Sequence, residues 1–408
     1  MMHPGSALGA KGSYYHLFAG YALATLATGV AVVALAILAY ELTGDDAGAV
    51  IGTALSIKML AYVIGAPLLT AWLCRLPRGP LMVTLDLVRA GSLLLLPFVT
   101  TAWQIYALVF LFTLASAGFT PAYQASVAQL LPNREAYSAS LARSRVVSEL
   151  DGALSPLIAA GLLLVLSFKG VFIVAMLVLL ASALLIARAG LQSTVVTPDE
   201  GGTSQVLKGF RVLLGRRELR MLFPLGLALA AGSAMVMTNT VLFVQGVFDM
   251  DSRATAVALA VFGAGSVVGA LLVPALLRRF SERRLMFFGG AVMVVSLSVG
   301  IVAQRYPTLL VMWFAIGLGA ALAQLPAANL IRRIVSPDDY QMVYAASFAL
   351  ATAAMGVGYA VAGWLGVTIG LTLTFAVLAG VTACAIAIAA SMSVGGHGAD
   401  DVAGSARG

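Results

Sequence analysis

Five ionisable side chains lie inside apolar stretches long enough to cross a lipid bilayer: Lys58, Asp86, Arg89, Glu149 and Asp151. A charged group in the middle of a membrane helix costs about 2.5–3.5 kcal/mol on insertion scales, so each needs a compensating partner or a use. Glu149 and Asp151 are two residues apart and point to nearly opposite sides of a helix. Glu149 follows Arg145 by four residues, the spacing of an ion pair along one helix face. Asp151 has Val147 and Ser155 at the matching positions, and so has no charged partner on its own helix. Two uses remain open for it: carrying a proton or cation across the membrane, or tying its helix to another. Lys58 stands mid-way along a different apolar stretch, and by depth its partner is Asp151 or Glu149. A pair that parts on protonation would couple proton movement to conformation, whereas a permanent pair would fix helix packing. Asp86 and Arg89, three apart on one face and near the end of their stretch, read as gating residues together with Arg75 and Arg78.

The elements that must hold these groups follow from composition. Hydrophobic residues make up 61% of the 408 and charged residues 10%, against roughly 45–50% and about 25% in soluble domains. Lipid is the solvent that accounts for this. The net charge of +7 does not form a nucleic-acid-binding stripe, because the basic residues recur in short clusters between apolar runs. Two cysteines and three histidines, widely separated, give neither a disulfide framework nor metal-ligand spacing. No phosphate-binding Gly-Lys-Ser/Thr loop occurs, and Gly263, Gly265 and Gly269 fall inside an apolar run where close helix packing explains them. No cofactor or metal is expected, and no enzyme chemistry.

At about 20 apolar residues per crossing, the chain reads as an all-α membrane protein of twelve spans. These run approximately over 16–40, 48–73, 81–99, 103–124, 138–166 and 171–189, then 219–247, 254–277, 285–303, 307–331, 340–365 and 367–391. A repeated punctuation supports six plus six. Pro121-Ala122-Tyr123-Gln124 is followed by Pro132-Asn133, and Pro326-Ala327-Ala328-Asn329 by Pro337-Asp338 at the same internal spacing. Such self-similarity marks two fused copies of one design, and two related bundles with a site between them are a usual transporter build. The expected organisation is a bundle over 1–190, a linker over 191–218, a second bundle over 219–391 and a disordered tail over 392–408. Of the 24 basic residues, only Lys169, Arg253 and Arg305 fall in the loops of one side, with Lys58 and Arg89 inside spans. The rest lie on the other side, which predicts both termini in the cytoplasm of a cell whose plasma membrane the protein spans. In the linker, Val206, Phe210 and Leu213 share a helical face opposite basic residues, the pattern of an amphipathic helix lying on the inner leaflet.

Three local stretches carry a family resemblance. Phe119-Thr120-Pro121-Ala122-Tyr123-Gln124 resembles a Phe-x-Pro-Ala-x-Gln run ending the fourth helix in the drug-efflux branch of the major facilitator superfamily, which holds bacterial macrolide and siderophore exporters. Asp86-Leu87-Val88-Arg89 resembles the Asp-x-x-Arg opening its third helix, and Leu207 to Leu222 its amphipathic lead into helix seven. Two departures stand beside these. Where the superfamily's second loop carries an acid and two glycines around its basic positions, Arg75 and Arg78 are kept but Cys74 and Pro77 replace the acid and the second glycine. The antiporter signature on helix five reads Ser155-Pro156 and Ala159-Ala160 in place of Gly-Pro and Gly-Gly.

The resemblance implies that helices one, four, seven and ten line a central cavity. It thereby nominates Tyr21, Thr25, Thr28, Tyr106, Asn239, Gln245 and Gln324 as substrate contacts, set among Met, Leu and Phe. Such a lining suits an apolar or amphipathic organic solute. The expected function is export of such a compound by a monomeric protein in lipid, driven by inward proton flow, with Asp151, Glu149 and Lys58 as coupling groups and Asp86, Arg89, Arg75, Arg78 and Arg145 as gating groups. The alternatives are the same fold exporting a metal cation or importing a solute, and, further off, a membrane-embedded sensor or enzyme.

Overall fold

The computed structural model describes residues 4–73, 76–131, 134–191, 202–302, 305–336 and 339–394. Arg75, Pro132 with Asn133, the linker residues 192–201, Pro337 with Asp338 and the tail from 395 lie outside the described residues, as do the side chains of Arg145 and Glu149.

Backbone polar groups in lipid must be satisfied within the chain, and the described residues contain helices and no strand. Six long helices come first. They are α1 (Pro4–Thr43), α2 (Ala47–Leu73), α3 (Arg78–Leu95), α4 (Ala102–Leu130), α5 (Arg134–Val165) and α6 (Phe168–Arg188). Two shorter ones follow, α7 (Gly202–Gly215) and α8 (Arg217–Arg220). Six more complete the chain: α9 (Leu222–Val241, continued by a π turn over Leu242–Val247), α10 (Ser252–Leu276), α11 (Glu282–Val302), α12 (Tyr306–Ile334), α13 (Tyr340–Thr368) and α14 (Leu371–Val394).

Among the described residues ten stretches qualify as spans by length and hydropathy, with α1 and α2 running together as one. Helix α5 carries its charged residues in its first two thirds and is continuous over 32 residues, through Pro156. Pro121 and Pro326 both fall inside 29-residue helices, α4 and α12, each the fourth long helix of its group of six. Local sequence sets the starts of several helices. Thr101 and Gln104 form a capping box at α4, and the Asp251 carboxylate accepts the Ala254 N–H at 2.9 Å to open α10.

Two helix pairs dominate the join between the groups: α2 against α13, and α5 against α10. The apolar core runs through both groups and includes Val50, Ile51 and Leu55 with Leu242, Tyr359 and Ala362. Helix α7 departs from the expected leaflet-bound role. Leu213 is buried and Phe210 half-buried against a cluster with Ile331, Val335 and Val343, and Gly209 lies against the Met342 carbonyl. Phe210 and Leu213 are thus taken up by the start of α13 and the end of α12, while the Val206 side chain lies outside the described residues.

Candidate functional site

Asp151, on α5, faces α1 at Gly29, where a methyl group in place of the glycine hydrogen would come within 2.6 Å of Asp151 Oδ1. Ser155, one turn on, hydrogen-bonds the same carboxylate and also reaches the Leu26 carbonyl at 3.5 Å. The absence of a Cβ at Gly29 is what lets the carboxylate sit between the helices. Lys58 of α2 lies within electrostatic reach of Asp151, yet among the described residues the two make no direct ion pair. The ammonium and the carboxylate are therefore neighbours that can still change partners.

Hydroxyl groups line the remaining space. Tyr62 of α2 sits beside Ser116 of α4 and within electrostatic reach of Asp151, Arg89 and Tyr21. The Tyr21 hydroxyl is 2.7 Å from Ser148 Oγ, and the Tyr21 ring stacks on Tyr123 with centroids 4.2 Å apart. Tyr123 in turn is 2.7 Å from Ser144 Oγ. Thr25 and Thr28 are half-buried and return their hydroxyls to the Tyr21 and Ala24 carbonyls, each at 2.8 Å. Sequence reasoning missed Tyr62, Tyr123 and the α5 serines. The signal was available in the spacing of Ser140, Ser144, Ser148, Asp151 and Ser155, which repeats every three or four residues along one helical face.

Asp86 and Arg89 are almost fully buried and paired with each other. The Ser182 hydroxyl of α6 shares its one proton between Asp86 Oδ2 at 2.7 Å and the Gly20 carbonyl at 2.9 Å, while the Arg89 guanidinium lies 4.4 Å from the Phe119 ring centroid. This network ties α3 to α6, α1 and α4. All four belong to the first group of six, so the buried Asp86–Arg89 pair is held within one bundle. An acid whose charge is already met by its i,i+3 neighbour inside one bundle has none to offer the other. Arg78 likewise stays within its group, donating to the Ala125 carbonyl at 2.6 Å.

Three of the expected cavity residues sit elsewhere. Asn239 is fully buried, donates to the Ala362 carbonyl at 3.0 Å and packs against Gly366 and Gly48. Gln245 donates to Thr255 at 3.1 Å, and Tyr106 sits beside Thr53, which also accepts the Trp364 indole N–H at 3.2 Å. These groups belong to a closure at the end of the bundle opposite the basic loops. There α2 and α13 meet without side chains between them: a Cβ at Gly52 would strike the Tyr359 carbonyl at 2.5 Å, and a Cβ at Gly363 would strike the Gly48 carbonyl and Gly52 Cα. Ser56 donates to the Gly356 carbonyl across the same join at 2.7 Å. Gln324 is exposed at the other end, on a recess of about 170 Å³ between α9, α12 and α13 whose walls include Phe223, Met286, Ser347 and Phe348.

The arrangement is that of two helix bundles sealed at one end, with an ionisable pair at mid-depth in the first and an apolar recess at the basic end of the second. The sequence profile of the Major Facilitator Superfamily matches residues 17–297 and 248–395, and the chain belongs to that family. It is a multi-pass membrane transporter and not an enzyme. The fold is similar to that of the nucleoside transporter NupG (D323A mutant), with a TM-score of 0.75 at 14% identity, over 93% of this chain and 100% of that one. It is similar also to a bacterial homologue of the human lysosomal transporter Spinster in an inward-facing, unoccupied conformation (TM-score 0.69, 13% identity, 96% and 97% covered). A POT family transporter in complex with a thioalcohol-conjugated peptide matches with TM-score 0.70 at 12% identity, over 93% and 96%. No curated protein sequence matches the chain significantly.

Proposed function

We propose that the protein is a secondary active exporter of a small amphipathic organic compound, driven by proton antiport with Asp151 as the proton carrier. The observation that carries this is the placement of Lys58 and Asp151 as electrostatic neighbours without a direct ion pair, among hydroxyls at mid-depth. A carboxyl so placed can bind a proton in one conformation and release it in another, with Lys58 gaining or losing its counter-charge as it does so. Met286, Phe223 and Phe348 around Gln324 support an amphipathic cargo, since a mostly apolar wall with few polar groups suits such solutes. The seal between α2 and α13 corresponds to an inward-facing state on the orientation that the basic loops imply. Cysteines placed at Asp46 and Asp249 are then expected to react with an impermeant maleimide on intact cells, and one at Arg78 is not. Labelling at Arg78 with Asp46 silent would reverse the orientation.

The neighbours' own cargoes, nucleosides and peptides, make import by the same fold the second reading. Export of a metal cation has less support, because no group of three ligating side chains occurs among the described residues. The cargo is tested by growth inhibition with a panel of amphipathic compounds in a host stripped of its own exporters. Protection against a subset is expected; sensitisation to that subset would mean import.

A further inference from the structure

The face of α5 turned toward α1 and α4 is polar over half the membrane's depth. Ser140, Ser144, Ser148 and Asp151 follow one another along it over about 16 Å. Facing them, Tyr123 of α4 and Tyr21 of α1 stack on each other and place their hydroxyls 2.7 Å from Ser144 and Ser148 respectively. At the basic end of this column two hydroxyls have no hydrogen-bond partner among the described residues: Tyr14, 5% exposed, and Ser140, 1% exposed. Both lie beside Tyr123. Buried hydroxyls are rarely left unmatched, and a polar pocket with two to four partners is what holds an internal water. At the other end Ser148 and Asp151 are one turn apart, neighbours on the helix surface, and Tyr62 reaches toward both Tyr21 and Asp151.

We propose that this column is a proton path between Asp151 and the basic end of the bundle, completed by a water held by Tyr14, Ser140 and Tyr123. The inference rests on the reading of Asp151 as the proton carrier. The Ser148 and Ser144 hydroxyls donate to the carbonyls of Ser144 and Ser140 at 3.3 and 3.1 Å, and the relay needs them to turn into the column. The proton released when the carboxyl O–H breaks then passes to the Ser148–Tyr21 pair and on to the Ser144–Tyr123 pair. Each hydroxyl gains one proton and gives up another, so the column ends neutral with its O–H bonds reversed. The last proton leaves on the water, and rotation of the hydroxyls resets the chain. Among the described residues the ionisable groups facing Asp151 are Lys58 and Tyr62 from α2, with no ionisable residue on α10 between Arg253 and Leu276. The competing account is that these hydrogen bonds only staple α5 to α1 and α4.

A pH jump on the purified full-length protein in lipid vesicles separates the two without any transport substrate, read by the infrared carboxylic-acid C=O band. Asp151→Asn is expected to remove the band. Tyr123→Phe and Ser144→Ala are expected to keep its full amplitude but slow its appearance at least about tenfold, and Ser144→Thr to restore the rate. If Tyr123→Phe and Ser144→Ala match the parent rate while Asp151→Asn removes the band, the column is only structural and the Asp151 reading stands. If the band survives Asp151→Asn yet is slowed by Tyr123→Phe, the path stands and serves another acid. If neither change has an effect, both readings fall.

Discussion

Asp151→Asn is expected to reduce uphill transport at least about a hundredfold while leaving downhill exchange of bound compound nearly intact. Asparagine keeps the size of the side chain and can still hydrogen-bond Ser155, so the contact with Gly29 and the packing of α1 on α5 survive. What it cannot do is take up and release a proton. The alternation of the bundles then continues with bound cargo but is no longer tied to the proton gradient. Lys58 supplies an internal check. In Asp151→Asn the buried ammonium has lost the one counter-charge that the described residues offer it, which is costly. Replacing it as well, in Lys58→Met with Asp151→Asn, is expected to recover part of the folded yield and of the exchange rate. Glu149→Gln is expected to do less, since Arg145 stands one turn away. Normal pumping by Asp151→Asn with failure of Glu149→Gln would move the assignment to Glu149.

Gly363→Leu is expected to lower turnover by about tenfold or more through the seal, without touching the proton site. The α2–α13 join brings backbone against backbone, and a Cβ at Gly363 already overlaps the Gly48 carbonyl. Close packing leaves no slack for a larger side chain, so the helices must part at that end and the sealed state becomes inaccessible. A cysteine at Thr53, next to the Trp364 indole, should then react with an impermeant reagent faster than in the parent. Gly380→Leu is the control, because nothing lies within 4 Å of a Cβ built there. Equal loss in both variants would point to general destabilisation rather than to the seal.

The two effects mark how far the sequence could be read. Spans were legible because lipid imposes an apolar length on every crossing helix, and the paired prolines placed α4 and α12 at the same rank. Lys58 and Asp151 could be matched by depth, since helix rise converts position into height. Direction around the helix axis was harder. The spacing of Asp86 and Arg89 put them on one face, but not that Ser182 and Phe119 from two other helices close around them. Asn239, Tyr106 and Gln245 lie on helices expected to line a cavity, but which polar side chains face a cavity depends on which end of the bundle is closed. With the α2–α13 end sealed, Asn239 is buried against Gly366 and Gly48. The tyrosine–serine column was hidden for another reason. A serine in a membrane helix satisfies itself on the preceding turn, as Ser144 and Ser148 do at 3.1 and 3.3 Å, so only the tyrosines of two other helices reveal it.

The central claim is that outward compound movement and inward proton movement are one process. Purified protein in vesicles, given a gradient of a compound from the protective subset and no pH difference, tests it with a pH dye trapped inside. Compound flow should drive protons in the opposite direction in the parent and move none in Asp151→Asn. Compound flow with no proton movement in the parent, or with protons travelling in the same direction as the compound, would contradict the account.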